Sequence, residues 1–195
     1  MVIEVHQKKL SMAAQFRILI NEELMYTASR ELLQWLAEIV VLKISTKHLS
    51  IKINKQFHLF KANYKISLDH TTCIFQTVSY LKSHFRCQFA GDRYDIYGHR
   101  GRKYSIFRNE EQVGWWEKEI IAWLEGDRYR IIANDDDNAK LLIAFCLIVD
   151  NYVTGNHGEE VLTINWGYFG LQNRPFDEDW QPRPSAGTSP IFDDN

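Results

Sequence analysis

Five consecutive residues, His99-Arg100-Gly101-Arg102-Lys103, form the densest basic cluster of the chain, and Arg108 follows shortly after. The glycine at its centre reads as a turn between two strands. Basic side chains converging on a loop can hold a phosphate by charge-assisted hydrogen bonds, arginine through its fork and lysine as a point charge. Arg100, Arg102, Lys103 and Arg108 are therefore the candidate anion-binding residues. A solvated hairpin turn accounts for the same residues without a ligand.

Other reactive residues lack the spacing that chemistry needs. Asp135, Asp136 and Asp137 are consecutive, whereas a calcium loop alternates its acids around a glycine turn. Asn134 and this acidic run read as the cap and first turn of a helix. The seven histidines show no HxxxH or HxH pair, which argues against zinc. Cys73, Cys87 and Cys146 contain no CxxC pair and are expected to be reduced. Trp115-Trp116 on a strand must face opposite ways. The outer one either stacks on a ligand or packs against Trp123 or the tail. No nucleophile elbow, P-loop or dinucleotide glycine motif is present, so no catalytic residue, metal or cofactor is expected.

The elements that would carry these residues follow from apolar periodicity. Leu141–Val149 is almost unbroken apolar and is flanked by Asp137 and Asp150. A helix apolar all round must be surrounded by protein or lipid. This one has about half the roughly 20 residues that a membrane span needs. It reads as a helix buried in protein, with Leu141, Leu142, Phe145 and Ile148 as its structural residues; a single buried strand is the alternative. Ahead of it, segments such as His48–Asn54, Asn63–Leu68 and His84–Ala90 alternate apolar and polar residues, the pattern of strands with one wet face. Ser29–Glu38 differs, with Leu32, Leu33, Leu36 and Ile39 at helical spacing. Many strands with one apolar face need something apolar to cover. An antiparallel barrel wrapped around the buried helix satisfies both requirements.

The chain has 195 residues, 45% of them hydrophobic, enough for a substantial core. Its net charge of −2 disfavours nucleic acid as a partner. The start MVIEVHQKKL lacks the apolar centre of a signal peptide, and no segment is long enough to span a bilayer as a helix. A cytoplasmic protein is expected. All four prolines fall after Asn173. Residues 173–195 thus read as a polar, flexible tail, and 8–172 as a barrel domain in which Val161–Phe169 forms one more strand or a segment docked on the barrel.

Several stretches resemble one family. They are Tyr94-Asp95-Ile96-Tyr97-Gly98, Tyr104-Ser105-Ile106-Phe107, Gln112-Val113 and Asp127-Arg128-Tyr129-Arg130-Ile131, then the acidic run and a buried helix ending Val149-Asp150-Asn151. With His58–Ile66, they resemble the LURP-one-related proteins of the tubby C-terminal-like superfamily, to which phospholipid scramblases are also related. The match covers roughly residues 8–153 and rests on the order of strands and the terminal helix. The resemblance implies a twelve-stranded barrel around a central C-terminal helix. It also implies a non-enzymatic binding or scaffold domain, because tubby domains hold phosphoinositide headgroups through basic residues on the barrel surface. An anionic phospholipid surface or a protein is the partner expected on that basis, with peripheral membrane attachment. The rival is a small-molecule carrier or enzyme with a pocket at the barrel mouth.

Overall fold

The computed structural model describes residues 1–10, 13–31, 38–58, 61–79, 83–120, 126–155 and 174–184. These include twelve strands: β1 Val2–Leu10, β2 Ala13–Ile20, β3 Glu23–Glu31, β4 Glu38–Lys43, β5 Leu49–His58, β6 Lys61–Leu68, β7 Thr71–Ser79, β8 His84–Phe89, β9 Asp92–Gly98, β10 Lys103–Arg108, β11 Glu111–Ile120 and β12 Asp127–Ala133. Each pairs antiparallel with its sequence neighbour. β1 pairs with β12, Val2 opposite Ile132, to close the barrel. Closure removes the unpaired edges that would otherwise invite association.

Alternation sets the two faces. On β9 and β10, Tyr94, Ile96 and Ile106 point inward, while Asp95, Tyr97, Ser105 and Phe107 point outward. The inward residues meet α1, Ala139–Gly155, on every side. All residues from Leu141 to Val149 are at most 2% exposed. Phe145 packs against Phe75 at 5.4 Å and Tyr94 at 5.7 Å between ring centroids. At about 1.5–3 kcal/mol for each large apolar side chain, the helix is a large contributor to hydrophobic stabilisation, together with the inward strand residues it packs against. No helix among the described residues is long and apolar enough to cross a membrane, which says nothing about crossing by strands.

The start of the helix differs from the sequence expectation. Asn138, not Asn134, caps it: the Leu141 backbone N–H donates to Asn138 Oδ1 at 3.2 Å. The three acids therefore precede the first turn, and their partners are distant in sequence. Asp135 bonds the N-terminal ammonium, while Asp136 and Asp137 pair with Arg108. Two further differences concern strands. Ser29–Glu31 is extended and belongs to β3 rather than to a helix; the remaining residues of that expected helix before Glu38 lie outside those described. β1 had no strand reading, and it brings into the barrel residues that precede position 8. Gly126, at φ +87°, fits here because a Cβ would lie 1.9 Å from the Gln7 carbonyl oxygen of β1.

Candidate functional site

The helix divides the barrel into a near end, where it begins, and a far end, where it finishes. The β9–β10 connection lies at the far end and contains a short 3-10 turn, Arg100–Arg102. Gly101 and Arg102 both have positive φ, 75° and 62°, which throws the Arg100 and Arg102 side chains outward, where both are exposed. The turn is closed by the His99 N–H donating to the Lys103 carbonyl at 2.8 Å.

The four sequence-derived anion residues do not converge. Arg100 and Arg102 share the turn. Lys103 is drawn away from it, with Nζ 5.9 Å from the Trp115 ring centroid and 5.0 Å from that of Phe176. Arg108 lies at the other end of β10, roughly 17 Å away at the usual strand rise. It points into the near mouth and meets Asp137 at 3.1 Å and Asp136 at 3.3 Å. The protein's own acids thus occupy Arg108. Burial raises Asp137 to a pKa of about 6, although Arg108 opposes the shift.

Two constellations escaped the sequence reading, and a third realises one of its alternatives, the outer tryptophan packed against the tail. At the far end of the helix, Asp150 accepts hydrogen bonds from the Tyr129 hydroxyl, from Lys118 Nζ at 3.2 Å and from Arg30 at 3.4 Å. Burial, and then the Asp150 charge, push the Tyr129 phenol up, so it stays a donor. Asp150 and Arg30 are 1% and 6% exposed in their side chains, so the group seals the barrel from within.

On the outer wall, Asp95 receives His84 at 2.7 Å, Arg86 at 2.8 Å and Arg93 at 2.9 Å. Burial would raise its carboxyl, but the His84 and Arg86 hydrogen bonds prevail and hold it below the usual range. Beside it, His99 Nε2 and Ser105 Oγ lie 2.7 Å apart, the spacing of a nucleophile and its base. Ser105 is only 1% exposed, however, and Phe176 packs on the His99 ring, so no substrate reaches the hydroxyl in this conformation.

The third constellation involves residues 174–184, part of the stretch read as a tail, which lie along the outer wall of β9–β11. Arg174 stacks over Phe107 at 4.1 Å, and Phe176 meets Trp115 edge-on at 5.6 Å. The Trp180 indole N–H donates to the Gln112 carbonyl at 3.2 Å. Trp116 faces inward and stacks on Tyr104 at 4.8 Å, so the tryptophan pair splits across the sheet as its alternation requires. Docking of this kind leaves little mark in sequence, because single anchors have no period.

At the near mouth, a cleft of about 520 Å³ is lined by Tyr26, Asp69, His70, Thr71, Phe89 and Lys140, among others. The Lys140 ammonium donates to Asp69 at 2.6 Å and holds that carboxyl below its usual range. Among the described residues, no group of three or more histidine, cysteine, aspartate or glutamate side chains is placed to hold a metal. No protein-family model, no curated protein and no solved structure matches this chain.

Proposed function

We propose that this protein is a non-enzymatic binding module of the tubby-like, LURP-one-related kind that recognises phosphate or anionic lipid headgroups at the far end of its barrel. The observation that carries this reading is the basic turn at the far end: Arg100 and Arg102 stand exposed there, in a turn whose shape its own backbone sets. The near-end acids Asp69, Glu110 and Asp135–Asp137 are instead paired with Lys140, Arg93, the N-terminal ammonium and Arg108. An anionic surface is attracted to the exposed turn, which orients the molecule. The helix fills the interior, so recognition falls to the outside. Attachment at a membrane periphery from the cytoplasm follows if the anion belongs to a lipid.

The test is sedimentation with vesicles containing phosphatidylserine, against neutral vesicles, alongside titration with inorganic phosphate. Binding to vesicles but not to free phosphate assigns a lipid surface; the reverse assigns a soluble phosphate. Arg100→Ala with Arg102→Ala should weaken either and flatten the salt dependence. If the unsubstituted protein binds neither at low salt, the reading is wrong.

The near-mouth cleft favours a second reading, a small-molecule carrier or enzyme. Its volume lies within the range of ligand pockets, and Asp69, His70, Thr71 and Lys140 are polar groups converging on it. A thermal-shift screen of metabolites against the unsubstituted protein and Lys140→Ala separates the readings. A hit lost in Lys140→Ala but kept in the Arg100/Arg102 double variant would favour the cleft.

A further inference from the structure

A trough runs over the outer wall of β2, β3 and β4, on strands that carry neither the basic turn nor residues 174–184. Its shape follows from side-chain size. The register sets Ser29 between Gln15 and Val40, and Thr27 between Arg17 and Leu42. In both rows a small hydroxyl residue stands between two longer side chains. The middle strand is therefore a floor and its neighbours are banks, with a volume of about 360 Å³ between them. That volume lies within the range of small-molecule sites.

The two banks differ in chemistry. The β4 bank is apolar, with Val40 and Leu42 half-buried although they lie on the outer wall. Apolar surface continues past it: Leu49, opposite Leu42 on β5, is 42% exposed, and Ile44, just beyond β4, is 38% exposed. These are two of the four large hydrophobic residues that the described part of the chain exposes.

The β2 bank is polar, and both Gln15 and Arg17 are exposed. Among the described residues, the Arg17 guanidinium has no ion pair and no hydrogen bond. The reason lies on β1. His6 is opposite Arg17, and Glu4 is the next outward residue along that strand. The Glu4 carboxylate is already engaged, by Arg128 at 2.7 Å and by His6 at 2.9 Å. Arg86, Arg93 and Arg108, by contrast, all meet acids of the protein itself. Arg17 thus keeps its full fork of donors, and the Thr27 and Ser29 hydroxyls beside it add donors that rotate to suit an acceptor.

This arrangement specifies a ligand. The guanidinium fork matches a planar carboxylate with two parallel hydrogen bonds. One arginine, with no second cation lining the trough, balances a single negative charge rather than the larger charge of a phosphate monoester. The apolar bank accepts hydrocarbon.

We propose that the β2–β4 trough binds an alkyl carboxylate, its head held by Arg17, Thr27 and Ser29 and its chain laid against Val40 and Leu42. This site is separate from the basic turn and takes a different anion.

The probe is octanoate, titrated calorimetrically into the full-length protein, with acetate, octanol and octyl phosphate as comparisons. Saturable binding of octanoate is expected, with each comparison weaker by about tenfold, since each lacks the chain, the charge or the matching head. Arg17→Ala should weaken octanoate by about tenfold or more, the usual cost of a lost charge-assisted hydrogen bond, and Arg17→Lys should weaken it severalfold. Ser29→Leu fills the floor and should abolish binding although Arg17 remains. Both positions are exposed, so the variants should melt with the parent. Arg100→Ala with Arg102→Ala should leave octanoate binding unchanged, which separates this site from the far-end reading. Absence of octanoate binding at about 10 mM would overturn the proposal. So would acetate or octanol binding as tightly as octanoate, or undiminished binding by Arg17→Ala or Ser29→Leu. Octyl phosphate binding more tightly than octanoate would overturn the choice of a carboxylate head.

Discussion

The two ends of the barrel seal the same helix with the same chemistry, carboxylates against cations, but the near end leaves most of its carboxylates in solvent. There Asp136 and Asp137 meet Arg108, and Asp135 meets the N-terminal ammonium; the side chains of Asp135 and Asp136 are 39% and 59% exposed, and only that of Asp137, at 0%, is buried. At the far end, Asp150 meets Arg30, Lys118 and Tyr129 with its side chain 1% exposed. The connections differ in the same sense. Near-end turns are short and polar, with positive φ at Asn21, Glu22, Asp69, Asn109 and Glu110. Apart from the basic turn, the far-end connections at 11–12, 32–37, 59–60, 80–82 and 121–125 lie outside the described residues, and several are apolar in sequence, LLQWLA and IAWLE among them. Local turn chemistry shapes the near-end turns, but both ends are sealed by ion pairs between residues remote in sequence.

The largest effect should come from removing what both ends enclose. Phe145→Asp would place an unpaired charge among Phe75, Tyr94 and the helix core. We expect no folded protein, read as loss of a cooperative melting transition. A soluble variant that melts cooperatively would mean that the helix does not fill the barrel.

The next contrast sets far against near directly. Asp150→Ala removes the buried carboxylate that Arg30 and Lys118 share, although Lys118 keeps Asp127 at 2.8 Å. Breaking a buried pair on one side costs about 3–5 kcal/mol. Asp136→Ala removes an exposed partner of Arg108 and should cost less than about 1 kcal/mol. Urea unfolding of the two variants checks the comparison. Similar losses would show that the far cluster is not as desolvated as its geometry indicates.

Asp137 refines the near end further, through pH. Its carboxyl has a pKa of about 6 when folded, above the roughly 3.9 of an unfolded chain. The folded state therefore binds the proton more tightly. Asp137 favours folding most at low pH, and that contribution is lost as pH rises from about 4 to 6. Above pH 6 a constant penalty remains, on the order of 2–3 kcal/mol for so large a rise. Asp137→Asn stays neutral, so its stability relative to the parent should climb across that window and then level off. Glu4, Asp69 and Asp95, whose carboxyls are held low, act with the opposite sign and below this window. Parallel pH profiles for parent and variant would show that Asp137 does not titrate there.

These contrasts show what the sequence made legible. The buried helix and most strands were readable because their apolar periods are unbroken: Tyr64, Ile66 and Leu68 on β6, and Phe85, Cys87 and Phe89 on β8; on β5 the alternation holds for Ile51 and Ile53 but slips at its start, where Leu49 is exposed and Ser50 buried. β1 escaped because its inward row, Ile3 and Val5, continues with Gln7, a buried polar residue. The end of β3 was masked by Leu32, Leu33, Leu36 and Ile39, which share a helical period although Ile39 belongs to β4. Two asparagines precede the helix, and Asn138 caps it while Asn134 Oδ1 accepts from the Arg183 N–H, a partner remote in sequence. The anion candidates fared unevenly for a similar reason. The sequence neighbours Arg100 and Arg102 share a turn. Arg108 is separated from them by the length of a strand, a distance that spacing in sequence does not convey.

The smallest effect concerns the basic turn, where the far end meets solvent. Arg100 and Arg102 are exposed, and exposed charges contribute about 0–1 kcal/mol. Arg100→Ala should therefore leave the melting temperature within a degree or two. Arg102 is different because its backbone, at φ 62°, lies in the left-handed region that a Cβ disfavours. Arg102→Ala keeps that cost, whereas Arg102→Gly removes it. The lost arginine contacts are common to both variants, so their difference isolates the backbone term. Glycine should be the more stable of the two by roughly 0.5–1 kcal/mol. If the turn exists only to connect β9 and β10, Arg102→Gly should be the better residue in every assay. If Arg102 is kept in a strained conformation to present its guanidinium, Arg102→Gly should melt above Arg102→Ala yet lose as much binding to anionic vesicles or phosphate. That divergence between stability and binding would mark the turn as a site. Equal melting of the two variants would mean that the turn relaxes freely and does not set the direction of the arginine side chains.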